Sequence, residues 1–215
     1  MEKKTDILFD LDGTLTDPMQ GITKSVRYAL RHFGIEPESL ESLTKFIGPP
    51  LKGSFEEFYG FSEDKAELAL AKYREYFSVT GIFENEVYPG IAQMLKTLQE
   101  KGKHLYLASS KPLVFAERIL KHFDLDRYFD YVGGSMLDGR RVEKQEVIEH
   151  VLQEKGIVPQ NAVMVGDRRF DIEGAHASNL AAIGVLYGYG DREELTAAGA
   201  DALAADVAEL SQMLV

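Results

Sequence analysis

Asp6-Ile7-Leu8-Phe9-Asp10-Leu11-Asp12-Gly13-Thr14-Leu15-Thr16-Asp17 is the stretch on which the fold turns. A short aliphatic strand, Asp6 to Phe9, runs into two carboxylates separated by one residue and then into glycine. That is how an open α/β sheet presents ligand-binding groups at the carboxyl end of a strand. Such crowded carboxylates need a compensating cation. A hard divalent ion, Mg²⁺, takes oxygen ligands and keeps places open for substrate phosphate and water. Without a cation, Asp10 and Asp12 read as a solvated turn or a capping pair. A calcium loop of the EF-hand kind needs a Glu at its twelfth place, where Gly21 stands.

Working outward, three more aliphatic runs end in small or polar residues as a strand should: Lys103 to Ala108, Ala162 to Val165 and Ala181 to Leu186. Helical patterns lie between or after them at Gly90 to Lys101, Pro112 to His122, Glu143 to Lys155, Ile172 to Asn179 and Val207 to Leu214. Alternating βα units predict a Rossmann-like parallel sheet in an α/β fold. Residues 18–86 break this rhythm. Ile22, Val26, Leu30 and Phe33 recur at helical spacing, as do Leu68, Ala71, Tyr76 and Val79, and no strand signal is present. The expected organisation is therefore a core of residues 1–17 and 87–215, with an all-helical domain of residues 18–86 inserted after the first strand.

Composition narrows the partners. Over 215 residues, 24 Lys and Arg face 35 Asp and Glu, a net charge of −11 that repels a nucleic-acid polymer. Cysteine is absent, so disulfides, thiolate zinc sites and Cys nucleophiles are out and any metal sits on oxygen or imidazole. The five histidines show no metal-ligand spacing. The segment before Asp10 is too short in apolar residues for a signal-peptide core, and residues 174–190 carry too many polar residues and glycines to span a bilayer. No membrane and a cytoplasmic location are the expectation.

A second acidic strand end follows Ala162 to Val165, in Gly166-Asp167-Arg168-Arg169-Phe170-Asp171. Alone, Asp167 reads as a helix N-cap, Lys144 as a solvated helix residue and Ser109 as a strand-end hydroxyl. Together the pieces resemble the haloacid dehalogenase superfamily. Asp10 to Asp17 is similar to its first signature, Ser109-Ser110-Lys111-Pro112 to its second, Lys144 to its third and Gly166-Asp167 with Asp171 to its fourth. The helical insertion stands where that family carries its cap. Within it, the chain looks most like the phosphoglycolate phosphatase-like hydrolases and a branch likened to 5′-nucleotidases.

That resemblance implies a Mg²⁺-dependent phosphomonoester hydrolase acting on a small phosphorylated metabolite through an aspartyl phosphate. Asp10 would be the nucleophile and Asp12 the general acid and base. Gly13, Thr14, Ser109, Ser110 and Lys144 would bind the phosphoryl group. The metal would fall to Asp10, Asp12 (through its backbone carbonyl), Asp167 and Asp171, with Asp171 orienting the shell or Lys144. Because an alkoxide needs a proton to leave and a halide does not, Asp12 points to a phosphate ester. Lys111 reads as a loop residue, and Arg168 and Arg169 as partners of surface acids. Tyr187-Gly188-Tyr189-Gly190 reads either as a nucleobase surface or as tyrosines packed on the core. Specificity is expected from the insertion, with Phe46 to Leu51 as the segment over the leaving group. Competing functions are a sugar phosphomutase and a non-catalytic binding module.

Overall fold

The computed structural model describes residues 4–215. The chain divides into two compact units, residues 1–17 with 87–215 and residues 18–86.

The first unit is built on a six-stranded parallel sheet. Its strands are β1 (Asp6–Phe9), β4 (His104–Pro112), β5 (Tyr131–Ser135), β6 (Ala162–Gly166), β7 (Ala181–Val185) and β8 (Ala202–Ala204), in the order β5-β4-β1-β6-β7-β8. Two shorter strands, β2 (Thr16–Asp17) and β3 (Glu86–Val87), form a separate pair. Ile7, Leu8 and Phe9 are fully buried, which is why the central strand reads as an unbroken apolar run with no alternation.

Helices α4 (Ile91–Glu100), α5 (Leu113–His122), α6 (Lys144–Lys155), α7 (Arg169–Ala177), α8 (Arg192–Ala197) and α9 (Val207–Leu214) complete the unit. In α4 the buried row is Ile91, Met94, Leu95 and Leu98, an apolar stripe at i, i+3, i+4 and i+7. The same spacing in α6 gives Lys144, Val147, Ile148 and Val151, and in α7 it gives Asp171, Gly174 and Ala175. Charged residues thus take the first place in two buried rows, both in helices that follow strands of the sheet. Glu143 and Glu146 form a reciprocal capping box that starts α6 at Lys144.

The second unit holds α1 (Met19–His32), α2 (Leu51–Tyr59) and α3 (Glu63–Phe77). In α1, Ile22, Val26, Ala29 and Leu30 are buried. The buried face of α3 is Ala66, Ala69, Tyr73 and Phe77, not the expected stripe, of which Leu68 is 44% exposed and Val79 71% exposed. Small alanines let α3 lie close on α1, and the aromatics at its end fill the remaining space. Phe46 packs on Phe55 with ring centres 5.1 Å apart, and Phe55 stacks on Phe61. Phe46 and Ile47 therefore belong to the core of this unit, and only Gly48 to Leu51 of the expected selectivity segment reaches its surface.

Among the described residues, no helix is long and apolar enough to cross a membrane.

Candidate active site

β1 lies between β4 and β6, with Phe9 level with Leu107 on one side and Val165 on the other. The chain runs outward from β1 on the β4 side and returns to the β6 side, so the carboxyl end of β1 is the switch point of the sheet, the place where α/β sheets hold ligands. The Asp10 N–H donates to the Val165 carbonyl at 2.9 Å and carries the ladder one residue past β1. That sets Asp10 and Asp167 just past the ends of two adjacent strands, with Ser109 where the register of the neighbouring β4 breaks.

Carboxylate oxygens of Asp10, Asp167 and Asp171 lie within 4.8 Å of one another, all three buried. Lys144 Nζ stands 2.8 Å from Asp10 Oδ1 and 2.8 Å from Asp171 Oδ1, and donates to the Ala108 carbonyl at 3.0 Å. Asp171 turns its other oxygen back to accept the Arg168 N–H at 3.0 Å, holding the start of α7. Asp167 Oδ2 accepts the Tyr189 N–H at 2.8 Å, while Asp167 Oδ1 is buried with no partner.

Burial and mutual repulsion dominate the electrostatics. Burial, then Asp171 and Asp10, push the Asp167 carboxyl well above its ordinary range. Burial raises Asp171 to about 6, against the pull of Lys144 and with Asp10 adding to the rise. Burial alone would lower Lys144, yet the carboxylates of Asp10 and Asp171 overcome it and hold the ammonium charged. Counting Asp12 and Lys111, four carboxylates face two lysines, a formal excess of two negative charges when all four are ionised. A partnerless buried oxygen on Asp167 and a double negative excess fit a hard divalent cation.

This fit has a consequence for stability. A carboxyl whose folded pKa lies near 6, above the unfolded value of 3.8, contributes stability that is complete below about pH 4 and is lost as pH rises through about 6. In chelator, the protein should therefore melt at a lower temperature at pH 7 than at pH 5. Added Mg²⁺ should raise the melting temperature more at pH 7, where fewer protons compete for the Asp171 carboxyl than at pH 5. Equal Mg²⁺ shifts at both pH values in a thermal melt would show that these carboxylates do not bind the ion.

The turn after β1 sets the surroundings of Asp12, Gly13 and Thr14. The Asp12 carboxylate stands outside the acidic triad and pairs with Lys111 Nζ at 2.5 Å. Burial raises its pKa, with Lys111 the chief opposing influence. The backbone N–H groups of Gly13 and Thr14, expected on phosphoryl oxygens, are used inside the turn, donating to Thr16 O at 2.7 Å and Leu11 O at 3.2 Å. What Gly13 provides is space: at φ +83°, a Cβ there would lie 2.1 Å from Asp167 Oδ2. Ser109 is buried, and its Oγ accepts the Lys111 N–H at 3.3 Å. Ser110 is half-buried, and its carbonyl accepts the Ser135 hydroxyl at 2.7 Å.

Two features were missed or given too little weight. Lys111 is buried in β4, and its position directly after two strand-end serines was the available signal. Tyr189 donates its phenol to Asp17 and its N–H to Asp167, so this loop belongs to the site's framework. Arg168 pairs with Glu194 at 2.9 Å and Arg169 with Glu173 at 3.4 Å.

A parallel sheet with a buried carboxylate triad and a buried lysine at its switch point is an α/β ligand site whose acids could hold a metal ion. Residues 7–185 match the family described as haloacid dehalogenase-like hydrolase. The chain is 48% identical over 209 residues to a protein of Pseudomonas aeruginosa named 5′-nucleotidase, covering 97% of this chain and 95% of that one. It is 38% identical over 184 residues to a Mycobacterium tuberculosis protein named tyrosine-protein kinase PtkA, covering 86% of this chain and 62% of that longer one. A solved structure described as a predicted phosphatase from Clostridium acetobutylicum superposes with a TM-score of 0.96 at 50% identity, covering 98% of this chain and 97% of that one. The chain belongs to the haloacid dehalogenase-like hydrolases and is a phosphatase of that family.

Proposed function

We propose that the protein is a Mg²⁺-dependent phosphomonoester hydrolase that works through an aspartyl phosphate on Asp10, with a nucleoside 5′-monophosphate as its substrate class. The observation that carries this reading is the placement of Asp10 beside both Lys144 and the other two triad carboxylates, while Asp12 stands apart from the triad. Four acids then have different surroundings and different tasks.

A carboxylate oxygen of Asp10 attacks phosphorus, and the bond from phosphorus to the ester oxygen breaks. Asp12 gives its proton to the departing alkoxide, and its raised pKa suits a group that must hold a proton until then. Water next attacks phosphorus, Asp12 takes its proton, and cleavage of the acyl phosphate returns Asp10 and inorganic phosphate. Lys144 and Ser109 meet the phosphoryl oxygens. Asp171 positions Lys144, which must stay charged while it lies between two carboxylates. Asp10 and Asp167 would hold the Mg²⁺, which supplies positive charge against the anionic phosphoryl group. The nucleotide assignment rests on the long and nearly complete match to the Pseudomonas protein of that name. A phosphoglycolate ester, the other substrate the sequence resembles, is the alternative.

Phosphate release from a panel of nucleoside monophosphates, phosphoglycolate and sugar phosphates tests this. Turnover should be highest on a nucleotide, vanish in EDTA and return with Mg²⁺. Preference for phosphoglycolate would overturn the nucleotide assignment. Transfer of the phosphoryl group to a sugar would make the protein a mutase, and full activity in chelator would remove the cation from the reaction.

A further inference from the structure

Tyr187-Gly188-Tyr189-Gly190, which follows β7, takes no part in the proposed chemistry, yet it is built around Asp167. Besides the Tyr189 N–H on Asp167 Oδ2, the Tyr189 phenol donates to the Asp17 carboxylate. The Tyr187 phenol donates to the Thr14 carbonyl at 3.0 Å, and its ring meets Tyr88 edge to face with centres 5.0 Å apart. No space separates the segment from the carboxylate. A Cβ on Gly188 would lie 2.3 Å from Asp167 Cβ and 2.4 Å from the Gly13 carbonyl oxygen.

Asp167 has two oxygens. One is tied to Tyr189, and the other is buried without a partner. A carboxylate held through one oxygen and walled by backbone has a fixed orientation for the second, which is how outer hydrogen bonds tune a metal ligand. The geometry points to Tyr189 as the positioning residue of Asp167: its phenol, anchored on Asp17, fixes the backbone N–H that keeps the second Asp167 oxygen free for a divalent cation. This rests on the reading of Asp167 as a cation ligand.

The test is Mn²⁺ binding to the full chain without substrate, followed by the electron paramagnetic resonance signal of free Mn²⁺, with thermal unfolding in EDTA as the control. Tyr189→Phe should bind Mn²⁺ about tenfold more weakly, the size expected for losing an outer hydrogen bond at a metal site. Asp17→Ala should match it, and the double variant should be no weaker than either single variant, because both remove the same bond. Asp17→Asn keeps an acceptor oxygen and should stay within about twofold of wild type. Gly188→Ala should weaken binding further by displacing Asp167.

A merely structural tyrosine would lower the unfolding temperature and leave Mn²⁺ affinity unmoved, which overturns the inference; so does additivity in the double variant. If Tyr189→Phe does not fold, Asp17→Ala against Asp17→Asn carries the same comparison. Wild-type protein that binds no Mn²⁺ would sink the cation site itself. Wild-type binding and turnover with an unaffected Tyr189→Phe would sink this inference alone.

Discussion

Asp10→Asn is expected to lower phosphate release by at least about 10⁴-fold while the protein still folds, because an amide is not a nucleophile toward phosphorus and no neighbouring group takes its place. The substitution keeps size and shape at a buried position beside Lys144. It also removes one charge from a cluster with a formal excess of two negative charges. The unfolding temperature in chelator should therefore be equal to or above that of the wild type. A nucleophile retained at a cost in stability is the usual trade between activity and folding. Denaturing gel analysis after a pulse of labelled substrate should find phosphate on wild-type protein and none on the variant. A variant that turns over within tenfold of wild type would remove Asp10 from the covalent step.

The parts that were legible in the sequence share a physical reason. β1 shows as Ile7-Leu8-Phe9 because a central strand is buried on both faces, and its end shows as Asp10 and Asp12 because apolar character stops where the ligand begins. β5 was unreadable for the opposite reason. Its Tyr-Val-Gly-Gly-Ser run lacks the bulk that marks a strand, yet at Gly133 a Cβ would lie 2.3 Å from Val151 Cγ2, so the packing of α6 demands the glycine that hides the strand. The buried face of α3 was misread because alanine gives a weak hydrophobic signal, while the larger Leu68 drew the eye to the wrong side.

The site followed the same rule. Carboxylates at strand ends were visible as local clusters. The Lys111 to Asp12 pair joins residues 99 apart, and the Tyr189 to Asp17 bond joins residues 172 apart. Neither has a local pattern. The turn amides of Gly13 and Thr14 were assigned to phosphate through the family resemblance, with no local pattern of their own to decide it. The structure uses them to close the turn, and that closure brings the bare Gly13 backbone against Asp167.

Lys144→Met is expected to damage stability and activity together, in contrast to Asp10→Asn. Methionine keeps the apolar stem and the place of residue 144 in the buried row of α6, so packing is largely retained and the change isolates the ammonium. Losing it leaves Asp10, Asp167 and Asp171 buried with no lysine between them, and breaking a buried ion pair from one side costs about 3–5 kcal/mol. For a chain of this size that corresponds to a fall of about 10 °C in melting temperature in chelator at pH 7. The sign with pH is fixed by what replaces the lost charge. Burial already holds the Asp171 carboxyl near 6, so protonation there should shrink the deficit as pH falls through about 6, and Mg²⁺ at pH 7 should recover part of it by supplying positive charge to the triad. Phosphate release should stay at least about 10²-fold below wild type even in saturating Mg²⁺, because the ammonium that meets the phosphoryl oxygens is gone. Melting in EDTA that is unchanged at pH 7 would mean the Lys144 ammonium does not offset the triad's charge, and the electrostatic account of this site would fail with it.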